Sequence, residues 1–231
     1  MRALLILIVV LGIALVVGDR VAVVTAQNEI GRRIAAEYEL PRQPSVTIGG
    51  FPFLTQALDG HYRDIEVGVG DWSGQNLTVH NLDITLTDVT AALSDLLRDN
   101  ASNLVADTAT ATAVIPYDTV RGFAPQGVES IADGPDGLHV TGTFIVEGVP
   151  VPATVVVTVA PIDAGIAVTP VAVQAAAGGP TISLAALGHA LDFTVPLQRL
   201  PLGARLTAIQ PSADGLRVNA VAHHVRLSDL Q

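Results

Sequence analysis

Two stretches decide how the chain is read: "GLHVTGTFIVEG" (Gly137 to Gly148) and "ATVVVTVAPIDAGIAVTPVAV" (Ala153 to Val173). In the first, Leu138, Val140, Phe144 and Val146 fall on one face of an extended chain, with His139, Thr141, Thr143 and Glu147 on the other. Alternation of period two marks a strand with one face against a core. The second stretch is an apolar run interrupted at Asp163-Ala164-Gly165, a loop that turns one strand back on the next. Together they predict an antiparallel sheet.

The same signals extend to both sides. Val46 and Ile48 mark a short strand, and Ile65, Val67 and Val69 alternate again. "NLTVHNLDITLTDV" (Asn76 to Val89) alternates in two halves with a slip near Asn81, which predicts a bulge. "DTATATAVIPY" reads as a strand of small residues, and "GARLTAIQPSADGLRVNAVAHHVRL" as a closing hairpin that turns at Asp214-Gly215. Helical spacing shows at Leu93, Leu96 and Leu97, and again from Ser183 to Leu191 with Ser183 as cap. Helices separated by antiparallel strands, without regular βα alternation, predict an α+β fold. No tandem repeat or Pro/Ser-rich linker divides the chain, so residues 27–231 are expected to form one domain behind a segment 1–26. The small aliphatic strands suit either a tightly curved sheet with space inside or a sandwich packed with Val and Leu, and composition leaves both open.

That first segment begins "MRALLILIVVLGIALVVGDR", one Arg and then an uninterrupted apolar run from Ala3 to Val17. A basic start and an apolar region of this length have the layout of an export signal. The run is short for a membrane span, which takes about 20 residues. Helical spacing continues through Val23, Ala26, Ile30, Ile34 and Tyr38 until Pro41, so one helix can leave a membrane and enter the folded domain. Cleavage after Ala26 and retention as an anchor both stand, with the charged pair Asp19-Arg20 counting against the cleavage site.

Composition removes several function classes. The net charge is −10, and the twelve basic residues are all Arg and nowhere clustered, so no phosphate-tracking surface for nucleic acid exists. The absence of cysteine rules out disulfides, zinc-thiolate sites and thiol catalysis. No G-x-S-x-G, H-E-x-x-H or phosphate-cradling loop is present. The six His are scattered, apart from His223 and His224, which alternate to opposite faces on a strand. No catalytic residue, metal ligand or cofactor is predicted.

The most specific local feature is "IGGFPFLTQALDGHYRDIEVGV" (Ile48 to Val69), an apolar knot in an aromatic-poor chain. Pro52 can start a short helical turn and Gly60 can end it, placing Phe53, Leu54, Ala57 and Leu58 on one side. Such a knot either plugs a sheet corner or forms the mouth of a site for an apolar ligand.

With "DRVAVVTAQNEIGRRIA", "PSVTIGGFPFLTQALDGHYRDIEV", "ITLTDV", "TATATAVIPYDTV" and "LPLGARLTAIQPSADGLRVNAVAHHVRL" in order along the chain, the sequence resembles the LmeA-like phospholipid-binding proteins of the actinobacterial cell envelope. The resemblance implies a strongly curved antiparallel sheet wrapping a long N-terminal helix, similar to tubular lipid-binding domains. It also implies an exported lipid-binding domain without enzymatic activity, tied to assembly of mannosylated envelope lipids. The site expected on this basis has Phe51, Phe53, Leu54, Leu58, Ile34, Tyr38 and Phe144 against acyl chains, and Arg63 or Arg42 at a phosphate headgroup. Expected partners are a phospholipid, inositol-containing lipids among the candidates, the outer face of the cytoplasmic membrane, and envelope glycosyltransferases. The expected location is the periplasmic face, anchored by the first helix or released after cleavage. A lipid-headgroup hydrolase or transferase, and a structural envelope protein without ligand, are the competing readings.

Overall fold

The computed structural model describes residues 2–74, 77–91, 104–146, 149–163, 165–175, 193–197 and 200–226. The architecture is α+β, with a long first helix, mostly antiparallel strands and one strongly curled, half-barrel sheet. Helix α1 (Arg2–Glu37) is followed by β1 (Ser45–Ile48), α2 (Phe53–Asp59), β2 (His61–Gly74), β3 (Leu77–Thr90) and β4 (Val105–Ile115). Next come α3 (Tyr117–Arg121), β5 (Val128–Gly134), β6 (Gly137–Val146), β7 (Val149–Ile162), β8 (Gly165–Ala175) and β9 (Phe193–Pro196). A 3-10 turn (Pro201–Gly203) leads to β10 (Arg205–Ser212) and β11 (Gly215–Arg226). One sheet has the order β1-β2-β3-β4-β11-β10 and the other β5-β6-β7-β8-β9.

The chain groups into two compact units: residues 1–70, 83–110 and 222–231 in the first, 71–82 and 111–221 in the second. In the second unit the alternation read at Gly137 holds. Leu138 faces Val157, Val140 faces Val155 and Phe144 faces Val151 across an antiparallel pair. Leu138, Val140, Phe144, Val155 and Val157 are buried in one cluster with Ile166 and Leu216. The predicted turns are where the Asx-Gly signals put them, between β7 and β8 and between β10 and β11. Gly215 has φ 146°, and a Cβ there would stand 2.2 Å from the Ile115 carbonyl oxygen, so only glycine lets this hairpin lie against β4. Tyr117, on α3, donates its hydroxyl to the Ser212 carbonyl at 2.7 Å and ties the same hairpin down.

In the first unit β1 pairs with β2, Val46 opposite Val67 and Ile48 opposite Ile65. Helix α1 packs on β1 and α2 through few residues, burying only Asp19, Val23 and Gly31. A Cβ on Gly31 would meet the Pro44 carbonyl oxygen at 2.8 Å, which is how the helix comes so close to the segment leading into β1. The side chains from Leu4 to Val17 are exposed, and α1 is long and apolar enough to cross a membrane. Asn81 takes a left-handed φ of 52° where the alternation of β3 slips, in keeping with the irregularity expected there. The helices expected around Leu93 to Leu97 and from Ser183 to Leu191 lie outside the described residues.

Candidate functional site

The knot folds as its punctuation predicts. Pro52 stands at the N-cap of α2 and Gly60 at its C-cap with φ 67°, a left-handed conformation that costs glycine little. The broad apolar side divides, however, into two neighbouring stripes. Phe53 and Ala57, one turn apart, are buried, whereas Leu54 and Leu58 are 41% and 79% exposed. A two-turn helix packed by one side covers one i, i+4 row, and the next row, about 100° round, is left outside. Inside, the Phe53 ring lies 6.3 Å from that of Tyr62 at a tilt of 36°. Burial pushes the Tyr62 phenol up, so it stays neutral. Outside, Phe51 is 59% exposed.

Three polar side chains fix the knot in place. Pro52 supplies no cap to α2, and the capping acceptor comes instead from α1: the Leu54 amide donates to Asp19 Oδ1 at 2.8 Å. The other oxygen of Asp19 accepts from Arg20 at 2.8 Å, and the carboxylate is 2% exposed. A carboxylate that accepts backbone amides at a helix start satisfies donors that the helix itself leaves unpaired. Arg20 then reaches over the Phe51 ring, 5.1 Å from its centroid. On the far side of α2, Gln56 donates to the Gly49 carbonyl at 3.1 Å and accepts from the Arg63 amide at 3.0 Å, joining the end of β1 to the start of β2.

Phe51, Phe53, Leu54 and Leu58 are thus brought together with Asp19 and Arg20. Ile34, half-buried, lies on the same helix as Asp19 but fifteen residues on, about 22 Å along the axis. Tyr38, exposed, follows the end of that helix. Arg42 and Arg63 are exposed, with no ion pair to either guanidinium among the described residues. Phe144 belongs to the core cluster of the second unit at 2% exposure. Within the first unit, then, the knot residues stand together and Ile34 and Tyr38 stand apart from them. Asp19, Arg20 and Gln56 were not among the expected residues. The available signal was Asp19 itself, an acid two residues beyond an apolar run, which needs a partner wherever it is taken out of water.

Two shallow clefts among the described residues mix polar and apolar lining. One, of ≈ 380 Å³, is lined by Asp71, His80, Asn81 and Asp214, and His80 Nδ1 lies 2.8 Å from Asp71 Oδ1. The other, of ≈ 310 Å³, lies over β1, β2 and β3 with Glu66 and Asp83 in its lining. No group of His, Asp and Glu among the described residues is arranged to hold a metal. The carboxylate partners of His80, His139 and His224 are Asp71, Asp136 and Asp107, and among the described residues no hydroxyl is bonded to any of the three rings.

The family model described as LmeA-like phospholipid-binding matches residues 17–221 of the chain. No curated protein and no solved structure matches it significantly.

Proposed function

Since the chain belongs to the LmeA-like phospholipid-binding family, we propose that it is an exported protein, held on the outer face of the cytoplasmic membrane by α1. There it holds or presents a phospholipid while mannosylated envelope lipids are assembled. In this reading it catalyses no step itself, and envelope glycosyltransferases act on the lipid it presents. Phospholipid binding follows from the family and the anchor is read from the chain, while mannosylated lipids and glycosyltransferases are what the resemblance implies.

The observation that carries the anchored form is the burial of Asp19 against α2. Signal cleavage after Ala26 would remove Asp19 and Val23 together, leaving the Leu54 amide without its acceptor and the inner face of α2 without part of its cover. An element that completes the fold is retained. Acyl chains leaving water gain about 0.8 kcal/mol per CH₂, so an apolar surface is what such a protein must offer. Phe51, Leu54 and Leu58 are the candidates on the knot, with Phe53 behind them. Ile34 and Tyr38 extend the apolar contact along α1, and Arg63 or Arg42 meets the phosphate. Phe144 takes part only if the interior of the second unit opens to lipid.

Native mass spectrometry of the full chain, extracted from its own membrane and followed by analysis of the organic extract, tests this reading. A stoichiometric phospholipid is expected, with inositol-containing lipids as the first class to look for. A lipid-free mass that persists after incubation with native lipids would overturn it.

A further inference from the structure

The exposed apolar face of α2 lies beside the point where α1 leaves its apolar run, and that placement has a consequence for depth. We propose that Phe51, Leu54 and Leu58 form an interfacial lip, immersed in the headgroup region of the same leaflet that α1 enters. The inference rests on the anchored reading above and adds to it a second, independent contact with the bilayer.

Fifteen apolar residues, Ala3 to Val17, span about 22 Å as a helix, against a hydrocarbon core about 30 Å thick. One exposed face of α1 continues apolar beyond them. Val17, Val21 and Val24 follow at spacings of four and three, and all three are exposed. Counted to Val21, the apolar length is about 28 Å, close to a full crossing, with Val24 above it at the headgroups. On the opposite side of the same turns are Asp19 and Val23, buried where α1 meets α2. The hydrogen bond from the Leu54 amide to Asp19 fixes α2 at that level. With Val21 at the edge of the hydrocarbon, Asp19 lies about 3 Å from that edge and α2 is at the membrane surface.

The side chains suit that position. Leu58 is 79% exposed, and Leu54 and Phe51 stand out beside it. Asp19 keeps its charge out of lipid by accepting from Leu54 and Arg20. Arg20, half-exposed and stacked on Phe51, is placed to reach a phosphate while its stem stays on the ring. The only acid on α2 is Asp59, at its last position. The occupant is therefore a bilayer surface, and apolar insertion rather than net charge holds it, because the chain as a whole carries −10.

The chain has no cysteine, so single-site labels are clean. An environment-sensitive fluorophore is placed on Leu58→Cys, on Val9→Cys within the apolar run, and on Thr47→Cys, which is exposed on β1. Each labelled full-length chain is reconstituted in vesicles of phosphatidylcholine with a minority of phosphatidylglycerol. These carry nitroxide lipids labelled either at the headgroup or deep in the acyl chain. The expected pattern is deep quenching at Val9→Cys, shallow quenching with a blue shift at Leu58→Cys, and neither at Thr47→Cys. Deep quenching at Val9→Cys with Leu58→Cys behaving like Thr47→Cys would overturn the lip and leave the anchor standing. Absence of quenching at Val9→Cys would overturn both. Replacing Leu54 and Leu58 by Ser should abolish shallow quenching of a label moved to Phe51→Cys; quenching that survived would also count against the lip.

Discussion

The two units use their large apolar side chains in opposite ways. In the second, Leu138, Phe144, Ile166 and Leu216 are buried in one cluster with Val140, Val155 and Val157. Among its described residues, the exposed large ones, Trp72, Ile145, Val149, Ile162 and Val171, stand near strand ends or on outer faces. In the first, much of the described interior is small: Ala57, Ala91, Ala106, Ala109 and Ala222 are buried beside Ile48, Phe53, Tyr62 and Val89. Most of its large apolar side chains point outward instead, along α1 and on the knot at Phe51, Leu54 and Leu58. One unit is held by its own packing. The other offers apolar surface, and its fixed points are polar contacts such as Asp19 to Leu54 and Gln56 to Gly49.

That contrast predicts where substitutions hurt. Phe144→Ala should have the largest effect, a destabilisation of about 3–5 kcal/mol from lost burial and an unfilled cavity. Urea unfolding read by hydrogen exchange would place it in the second unit. Lipid stoichiometry measured on the same variant would say whether Phe144 also meets ligand. Next comes Asp19→Ala, which removes the acceptor of the Leu54 amide. Its signature is faster exchange at Leu54 and its α2 neighbours, with the second unit unaffected, and Asp19→Asn should recover part of the protection. Uniform loss across both units would break the distinction. Gly31→Ala is smaller: the new methyl stands 2.8 Å from the Pro44 oxygen and 2.9 Å from Gln43 Nε2. The helix must shift, a cost of about 1–3 kcal/mol, offset by roughly 1 kcal/mol of better helix propensity. A net stabilisation would show that the approach of α1 to this segment is looser than the contact implies.

The sheets were legible because alternation and Asx-Gly turns are local signals, and the strands from β6 to β8 and the β10–β11 hairpin lie where the sequence puts them. The caps of α2 were legible for the same reason, Pro52 before it and Gly60 after it. The division of its apolar side was not, since Phe53, Leu54, Ala57 and Leu58 look equivalent until the width of the covering surface is known. Asp19 was legible only as a charge that interrupts a pattern. Its role depends on α2, thirty-five residues away, and no short window holds both. The left-handed φ at Asn81 announced itself as a slip in alternation, while those at Asp88 and His224 did not.

The smallest expected effect is on the intact second unit and concerns acid. At the β5–β6 turn Asp136 Oδ1 lies 2.6 Å from His139 Nε2. This hydrogen bond holds the Asp136 carboxyl below its ordinary value. A carboxyl whose pKa is depressed on folding contributes stability that is fully present above its unfolded pKa and is lost as pH falls through the folded one. Asp136→Asn should therefore lose less stability than the parent between neutral pH and the acid range below about pH 4, read as the change in urea midpoint. The difference should be slight because the pair is open to solvent on the Asp136 side. A large difference would mean that this hairpin turn is coupled to the core behind Leu138, and the second unit would then depend on a polar contact as the first does.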